Sequence, residues 1–366
     1  MMDMNKKEKV LIVDDIPENL MILMNILKEQ YTVIAATNGE KALELARNEP
    51  LPDIILLDIV MPDLDGYEVC RRLQKNVVTR DIPIIFITAK TESDDEAKGL
   101  ELGAVDYIGK PIVPAIVKAR IRNHLELKRH RNHLEELVDQ RTHQLKKAKE
   151  AVIEAMGMVA EHRDPETGAH ISRTKRYVNL LAAELSKLPK YTKILTPHIV
   201  ELLTHAAPLH DLGKIAIPDS VLLKTGKFTE EEWEVMQTHA KIGEETINLA
   251  ETRFNDNEIL SIAKEIAGSH HEWWNGSGYP RGLSGEEIPL CGRIMAVADV
   301  YDAIISRRVY KKPMPHKYAV EHIVNEKESH FDPEVVQAFL NVADSFLETA
   351  LKFADNNEQR DILLSE

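Results

Sequence analysis

The sequence predicts a multidomain chain. A doubly wound, five-stranded parallel α/β domain is followed by a long helical, coiled-coil-like linker and then by an all-α domain. Three observations carry this prediction. Five continuous Val/Ile/Leu-rich runs alternate with amphipathic segments over residues 9–120, the pattern of strands covered on both faces by crossover helices. Residues 120–160 then contain no proline and one glycine, Gly157, with apolar residues at 3–4 spacing. Beyond residue 160 helical periodicity takes over, with polar, ligand-type side chains on faces that otherwise point at a core. The expected boundaries are a flexible N-terminus over 1–8, the α/β domain over 9–122, the linker over 123–157, the helical domain over 158–345 and a C-terminal tail over 346–366.

Composition narrows the function classes. A length of 366 residues allows two or three domains at roughly 100–200 residues each. Lys and Arg number 46 against 60 Asp and Glu, a net charge of −14, which argues against DNA or an anionic membrane as partner. The two cysteines, Cys70 and Cys291, are too few for a disulfide scaffold or a Cys-rich zinc module and fit a reducing, cytoplasmic compartment. The opening MMDMNKKEKV lacks the apolar core of a signal peptide, and no apolar stretch is long enough to cross a bilayer. Fifteen histidines are many for an acidic chain of this size.

In the first domain, KVLIVDD is a strand ending in two acids, and PENLMILMNILKEQ places Leu20, Leu23, Met24 and Leu27 on one helical face. YTVIAAT and GEKALELARNE repeat the strand–helix unit, DIILLDI and the turn MPDLDG follow, and PIIFITA and AVDYIGKP supply the last two strands. Function in such sheets collects at the carboxyl ends of the strands. Those ends hold Asp14, Asp15, Asp58, Thr88 and Lys110. Clustered carboxylates repel unless a hard cation joins them, and Mg²⁺ takes one or two carboxylates with phosphate oxygens and waters. The strings VDD at 13–15, LLDIVMPDLDG at 56–66, ITAK at 87–90 and GKP at 109–111 make this domain resemble the receiver domain of bacterial response regulators. The resemblance implies phosphoryl transfer from a histidine kinase to Asp58, with Mg²⁺ held by Asp14, Asp15 and Asp58. It assigns Thr88 and Lys110 to the phosphoryl oxygens and Tyr107 to the switch aromatic.

In the linker, Leu127, Leu134, Val138, Leu145, Ala148, Val152, Ala155 and Val159 form an apolar seam that Arg131 and Arg141 interrupt, as in a parallel dimeric coiled coil with two polar breaks. Nine Lys/Arg against five Asp/Glu from Arg120 to Glu150 read as a solvated helix face. A homodimer is expected.

The second domain carries the chemistry. Ile171, Thr174, Val178, Leu181 and Leu185 line one helical face; Ile199, Leu203, Ala206 and His210 a second; Ile259, Ala263, Ile266 and His270 a third; Met295, Asp299, Asp302 and Ser306 a fourth. A buried His or Asp needs a hydrogen bond or a metal. The candidates are Glu166, His170, His210, Asp211, His239, His270, His271 and Asp299. Glu166 and His170 are spaced i,i+4, and the adjacent pairs His210–Asp211 and His270–His271 diverge by about 100° on a helix, so neighbours can serve two ions. Imidazoles and carboxylates without thiolates suit Fe, Mn, Zn or Ni. Two such metals about 3.5–4 Å apart constitute a phosphoester hydrolase centre. No GxSxG, P-loop or GxGxxG motif competes with it, and Cys291 has no context for a nucleophile.

ETGAH at 166–170, APLHDLGKIAIPD at 207–219, His239, HHEWWNGSGYPRGLSGEEIP at 270–289 and ADVYDAIISRRVYK at 298–311 resemble the HD-GYP subgroup of HD-type phosphohydrolases. The resemblance implies hydrolysis of cyclic di-GMP to linear pGpG and/or GMP. It implies two or three divalent metals, iron first, on His210, Asp211, His239, His270, His271 and Asp299, with Glu166 and His170 serving a third. It also implies substrate contacts from Lys214, Arg308 and Lys312, a loop bearing Tyr279, and a diguanylate cyclase (GGDEF) as a partner. Asn275 stands where many relatives have Asp, at a position outside the ligand set. Hydrolysis of the hybrid cyclic GMP-AMP, or non-catalytic binding of a cyclic dinucleotide, are the competing readings. Trp273 and Trp274 read equally well as base-stacking or core side chains, and the tail at 346–366 as a frayed helix or a docking segment.

Overall fold

The computed structural model describes residues 7–89, 99–162, 169–254, 257–306, 313–354 and 356–365. The flexible N-terminus expected over 1–8 falls almost entirely outside them. The chain divides into two compact units, residues 1–142 and 143–366.

The first unit is a five-stranded, wholly parallel sheet. Strands β1 (Lys9–Val13), β2 (Thr32–Ala36), β3 (Ile54–Asp58), β4 (Ile84–Thr88) and β5 (Asp106–Gly109) take the order β2-β1-β3-β4-β5. Side chains alternate across a strand, and the core divides accordingly. Leu11, Val13, Ile55, Leu57, Ile84 and Phe86 pack on one face with residues of helices α2 (Gly39–Leu45) and α3 (Gly66–Lys75). Val10, Ile12, Ile54, Leu56, Ile85 and Ile87 pack on the other with α1 (Pro17–Leu27) and the first turns of α4 (Pro114–His162). Because both faces are covered, these strands read as unbroken apolar runs rather than alternating ones. The strand order reverses between β1 and β3, and the crevice at that switch point holds Asp14 and Asp58.

Helix α4 is one unbroken 49-residue helix. Val117, Ile121 and Leu125 are buried in the first unit, whereas Leu127, Leu134, Val138, Leu145, Val152 and Val159 of the expected seam are each about 60–70% exposed. Near its end the helix has a second apolar face, on which Ile153, Gly157 and Ala160 are buried.

The second unit is all helix. Its elements are α5 (Ala169–Leu185), α6 (Pro197–Ala206), the one-turn α7 (Asp219–Leu222), α8 (Glu230–Phe254), α9 (Glu258–Ser269), α10 (Leu290–Ile305), α11 (His316–Asn325), α12 (Pro333–Lys352) and α13 (Asn357–Leu364). The core centres on α10, where Ile294, Met295, Val297, Ala298, Tyr301 and Ile305 are inaccessible to solvent. The tail expected at 346–366 is not a separate segment. Helix α12 runs through that boundary to Lys352 with Phe346, Thr349 and Ala350 buried, and Phe346 stacks on Tyr177 at 4.3 Å. Leu363 of α13 joins the same core, and Gln359 donates to the Ile305 carbonyl at 3.1 Å.

Candidate active site

Four elements and one turn deliver the polar side chains of the second unit. Helix α6 stops at Ala206, where Pro208 cannot donate to the helical ladder. The chain tightens into two 3₁₀ turns, Ala207–Leu209 and Leu212–Ala216, with His210 and Asp211 between them. A Cβ at Gly213 would lie 1.9 Å from the His239 carbonyl oxygen; glycine there lets α8 approach and bring in His239. His270 caps α9, His271 follows it, α10 supplies Asp299, and α5 supplies His170.

These residues gather as two adjoining groups. Donor atoms of Asp211, His239, His270 and His271 lie within 4.8 Å of one another, as do those of His170, His210 and Asp299. Asp211 links them: Oδ1 is 3.3 Å from His239 Nε2 and 3.6 Å from His270 Nε2, and Oδ2 is 3.2 Å from His210 Nε2. Asp299 Oδ1 lies 3.7 Å from His170 Nε2 and 3.9 Å from His210 Nε2.

The ring orientations decide what this cluster can hold. Nδ1 of His210 faces the Ala207 carbonyl at 3.0 Å, that of His239 the Met236 carbonyl at 2.7 Å, and that of His270 the Ile266 carbonyl at 3.0 Å. Nδ1 of His170 faces Asp302 Oδ2 at 2.7 Å. A carbonyl or carboxylate partner makes Nδ1 the donor and leaves the Nε2 lone pair for a metal. The Nε2 atoms of His210, His239 and His270 and Oδ1 of Asp211 are buried without a hydrogen-bond partner among the described residues. Buried polar atoms in native proteins are satisfied, so this donor set fits divalent metal ions.

Burial disfavours charge on His210, but Asp211 and Asp299 outweigh it and raise that imidazole, whereas the electrostatics of Asp211, His270 and His271 favour the ligating forms. Burial pushes the Asp211 carboxyl upward, but Lys214 and His210 outweigh it and hold Asp211 well below the ordinary carboxylate range; Lys214 Nζ is 2.8 Å from Oδ2. Burial, reinforced by the neighbouring imidazoles, keeps His271 well below the usual histidine value and lowers His270 as well. Neutral imidazole is the ligating form. Tyr279 stacks on His271, with ring centroids 4.7 Å apart.

Glu166, Arg308 and Lys312 lie outside the described residues. Beside the cluster lie Asp302, which sequence reasoning placed on a core-facing helical face without a role, and three side chains it passed over. Asp302 is buried, accepts from Arg173 Nε at 2.6 Å and Nη2 at 2.8 Å, and orients His170. Burial raises its carboxyl, yet Arg173 holds it far below the usual range. Both were signalled by spacing, Asp302 three residues after Asp299 and Arg173 three after His170. Glu161, at the end of α4, places Oε1 3.4 Å from His170 Nε2. Glu272 is buried and accepts from the backbone N–H groups of Arg281 at 2.8 Å and Leu283 at 3.0 Å, folding the 273–283 loop back so that Tyr279 reaches His271. Trp273 stacks on His330 and Trp274 lies beneath Arg293, so both pack against protein. Cys291 is buried against Glu265, which with burial raises its thiol well above the usual value; it is not an activated nucleophile.

The crevice of the first unit gathers Asp14, Asp15 and Asp58 within 4.8 Å. Lys110 Nζ lies 2.9 Å from Asp58 Oδ2 and 3.0 Å from Asp14 Oδ2. Burial raises the Asp58 carboxyl, opposed by the Lys110 hydrogen bond. Thr88 ends the adjacent strand, buried, and Tyr107 lies on β5 with the Arg120 guanidinium 5.4 Å from its ring.

Residues 10–122 match the response regulator receiver domain family, and residues 132–335 match the HD domain family. The chain belongs to the HD-domain response regulators. This response regulator is 46% identical over 354 residues to a Vibrio cholerae protein named "Probable cyclic di-GMP phosphodiesterase", covering 94% of this chain and 80% of that one. It is 39% identical over 295 residues to the "Cyclic di-GMP phosphodiesterase response regulator RpfG" of Xanthomonas campestris, covering 79% and 75%. It is 35% identical over 348 residues to a "Cyclic di-GMP phosphodiesterase" of Thermotoga maritima, covering 91% and 90%. No helix among the described residues is long and apolar enough to cross a membrane.

Proposed function

We propose that this response regulator hydrolyses cyclic di-GMP to linear pGpG, GMP or both at a polynuclear metal centre, controlled by phosphorylation at Asp58. One observation carries the reading: the anchored Nδ1 atoms that turn the Nε2 lone pairs of His170, His210, His239 and His270 toward Asp211 and Asp299. The metals would be held by His210, Asp211, His239, His270, His271 and Asp299, with His170 and Glu166 serving a third ion. This nitrogen- and oxygen-rich set suits Fe, Mn, Ni or Zn, and the resemblance to HD-GYP phosphohydrolases puts iron first. Divalent metals bound there supply charge neutralisation and make water nucleophilic at neutral pH.

The chain's own side chains do the positioning. Lys214 holds Asp211 ionised and offers an ammonium to the substrate phosphate; Arg308 and Lys312 add further phosphate contacts. Tyr279 and the buried Glu272 shape the wall beside His271. In the receiver, Asp14, Asp15 and Asp58 would hold Mg²⁺ for phosphorylation of Asp58 by a histidine kinase, and Thr88, Tyr107 and Lys110 would respond to the phosphoryl group. The exposed heptad face of α4 supports a homodimer, and a GGDEF protein is a candidate partner in the cytoplasm.

The test is turnover of cyclic di-GMP by protein purified without oxygen and loaded with Fe²⁺ or Mn²⁺, the products resolved by chromatography. Hybrid cyclic GMP-AMP is assayed in parallel. Preferential turnover of cyclic di-GMP is expected; preference for the hybrid, or binding without turnover, overturns the reading. Asp58→Asn is expected to abolish labelling by acetyl phosphate, and retained labelling removes the assignment of Asp58.

A further inference from the structure

Glu161 stands in the last turn of α4 with only 4% of the residue exposed. Its Oε1 lies 3.4 Å from His170 Nε2. That nitrogen is the coordinating one, because Nδ1 of the same ring is committed to Asp302 at 2.7 Å. Asp299 Oδ1 approaches the same Nε2 to 3.7 Å and His210 Nε2 to 3.9 Å. Neighbouring donors on one ion, each about 2.0–2.2 Å from it, stand roughly 3.0–3.5 Å apart. The His170–Glu161 separation is already of that size.

The chain is built to bring α4 this close. At Gly157, about one turn before Glu161, a Cβ would lie 2.6 Å from the Pro208 carbonyl oxygen and 3.1 Å from the Pro208 Cβ. Glycine there lets the helix backbone press against the turn that leads into His210. Ile153, Gly157, Ala160 and Glu161 form one buried stripe at i, i+4, i+7 and i+8. The stripe that seats the helix thus ends in a carboxylate directed at the cluster.

We infer that Glu161 is a carboxylate donor to the metal position formed by His170, His210 and Asp299. The inference rests on the polynuclear reading proposed above. Glu161, His170, His210 and Asp299 all belong to the second unit, and Glu161 stands on the stretch of α4 that Gly157 seats against the Pro208 turn. Retention of this ion therefore depends on how the end of α4 is seated.

The test measures metal in the full-length protein. Wild type, Glu161→Gln and Glu161→Asp are loaded with Mn²⁺ without oxygen and desalted, and metal per chain is determined by mass spectrometry alongside a Mn²⁺ titration followed by electron paramagnetic resonance. Glu161→Gln is expected to retain about one metal fewer per chain than wild type. Glu161→Asp, which keeps a carboxylate, is expected to recover part of the deficit. Wild-type stoichiometry in Glu161→Gln, with Mn²⁺ affinity changed by less than about twofold, overturns the inference and leaves the polynuclear reading standing. A wild type that retains no metal overturns both. Should Glu161→Gln fail to fold, as judged by helix content and thermal midpoint without metal, crystals of wild type grown with Mn²⁺ decide the matter by anomalous scattering. The expected result is a Glu161 oxygen within bonding distance of the ion at His170; an ion there that Glu161 does not touch, or no ion there, overturns the inference.

Discussion

In the receiver unit Lys110 stands between Asp58 and Asp14 at 2.9 and 3.0 Å, so the acidic crevice contains its own cation. In the helical unit Lys214 touches Asp211 Oδ2, while imidazole nitrogens aim at the centre with their far sides already anchored. The first arrangement, one ammonium among three carboxylates, is partly neutralised without a bound ion and can accept and release a small cation and a phosphoryl group. The second calls for resident metals. Their scaffolds differ in the same sense. Strand ends at a switch point place carboxylates on short loops, which suits a transient modification, whereas four helices and a 3₁₀ turn hold the histidine cluster in rigid elements.

That contrast can be broken at several points. Asp211 reaches three imidazoles at once, so Asp211→Ala is expected to lower kcat by at least about a thousandfold, beyond the roughly 10–100-fold typical of losing an outer partner. Steady-state assays with metal content measured in parallel check this; an active variant would dissolve the assignment of the cluster. Chelation comes next. Stripping a ligand present at about 100 times its Kd removes about 2.7 kcal/mol from the folded state. The calorimetric transition of the helical unit is therefore expected to fall with EDTA far more than that of the receiver on Mg²⁺ removal. Equal shifts would erase the distinction between resident and transient ions.

Asp302→Asn leaves Arg173 without its carboxylate and His170 without its orienting acceptor. Metal affinity is expected to fall roughly 10–100-fold, read by competition with a fluorescent chelator, with the metals of the Asp211–His239–His270–His271 group less affected. The smallest effect belongs to the receiver. Lys110→Ala removes the cation between Asp14 and Asp58, and the lysine is partly exposed, so the loss is expected to be about 1–2 kcal/mol, below the 3–5 of a fully buried pair. Saturating Mg²⁺ is expected to narrow the deficit. Denaturant titrations with and without Mg²⁺ check it, and a deficit insensitive to Mg²⁺ would contradict the picture of a crevice that Lys110 partly neutralises.

Much of this was legible in the sequence because the governing periods are short. Five apolar runs specify a sheet covered on both faces, and Asp14, Asp58 and Lys110 then fall at strand ends by counting alone. His210 and His270 stand on faces whose other members are Ile, Leu and Ala, so their burial follows from helical periodicity, and Asp299 falls within the largely apolar run of α10. What escaped has a common cause. Asp302, Arg173 and Glu272 act through another group, and Glu161 reaches the cluster from the end of α4; a charged residue in either position is hard to tell in sequence from a solvated one. Only the packing of α5 against α10 shows that Asp302 serves His170 rather than water. The seat of α4 is hidden likewise: its apolar positions satisfy a heptad, while Ile153, Gly157 and Ala160 make a second stripe that only the 3₁₀ turn at Pro208 explains. The packing of residues 346–366 is not legible in the sequence because the burial of Phe346 and Leu363 depends on Tyr177 and on the end of α10, far away in sequence.

The most direct measurement is an anaerobic Fe²⁺ titration of metal-free protein with cyclic di-GMP turnover read at each equivalent. The account predicts little activity up to one metal per chain, a rise to a break at two or three, and GMP or linear pGpG as the product. Full turnover at a single equivalent, or no turnover once every site is filled, would contradict it.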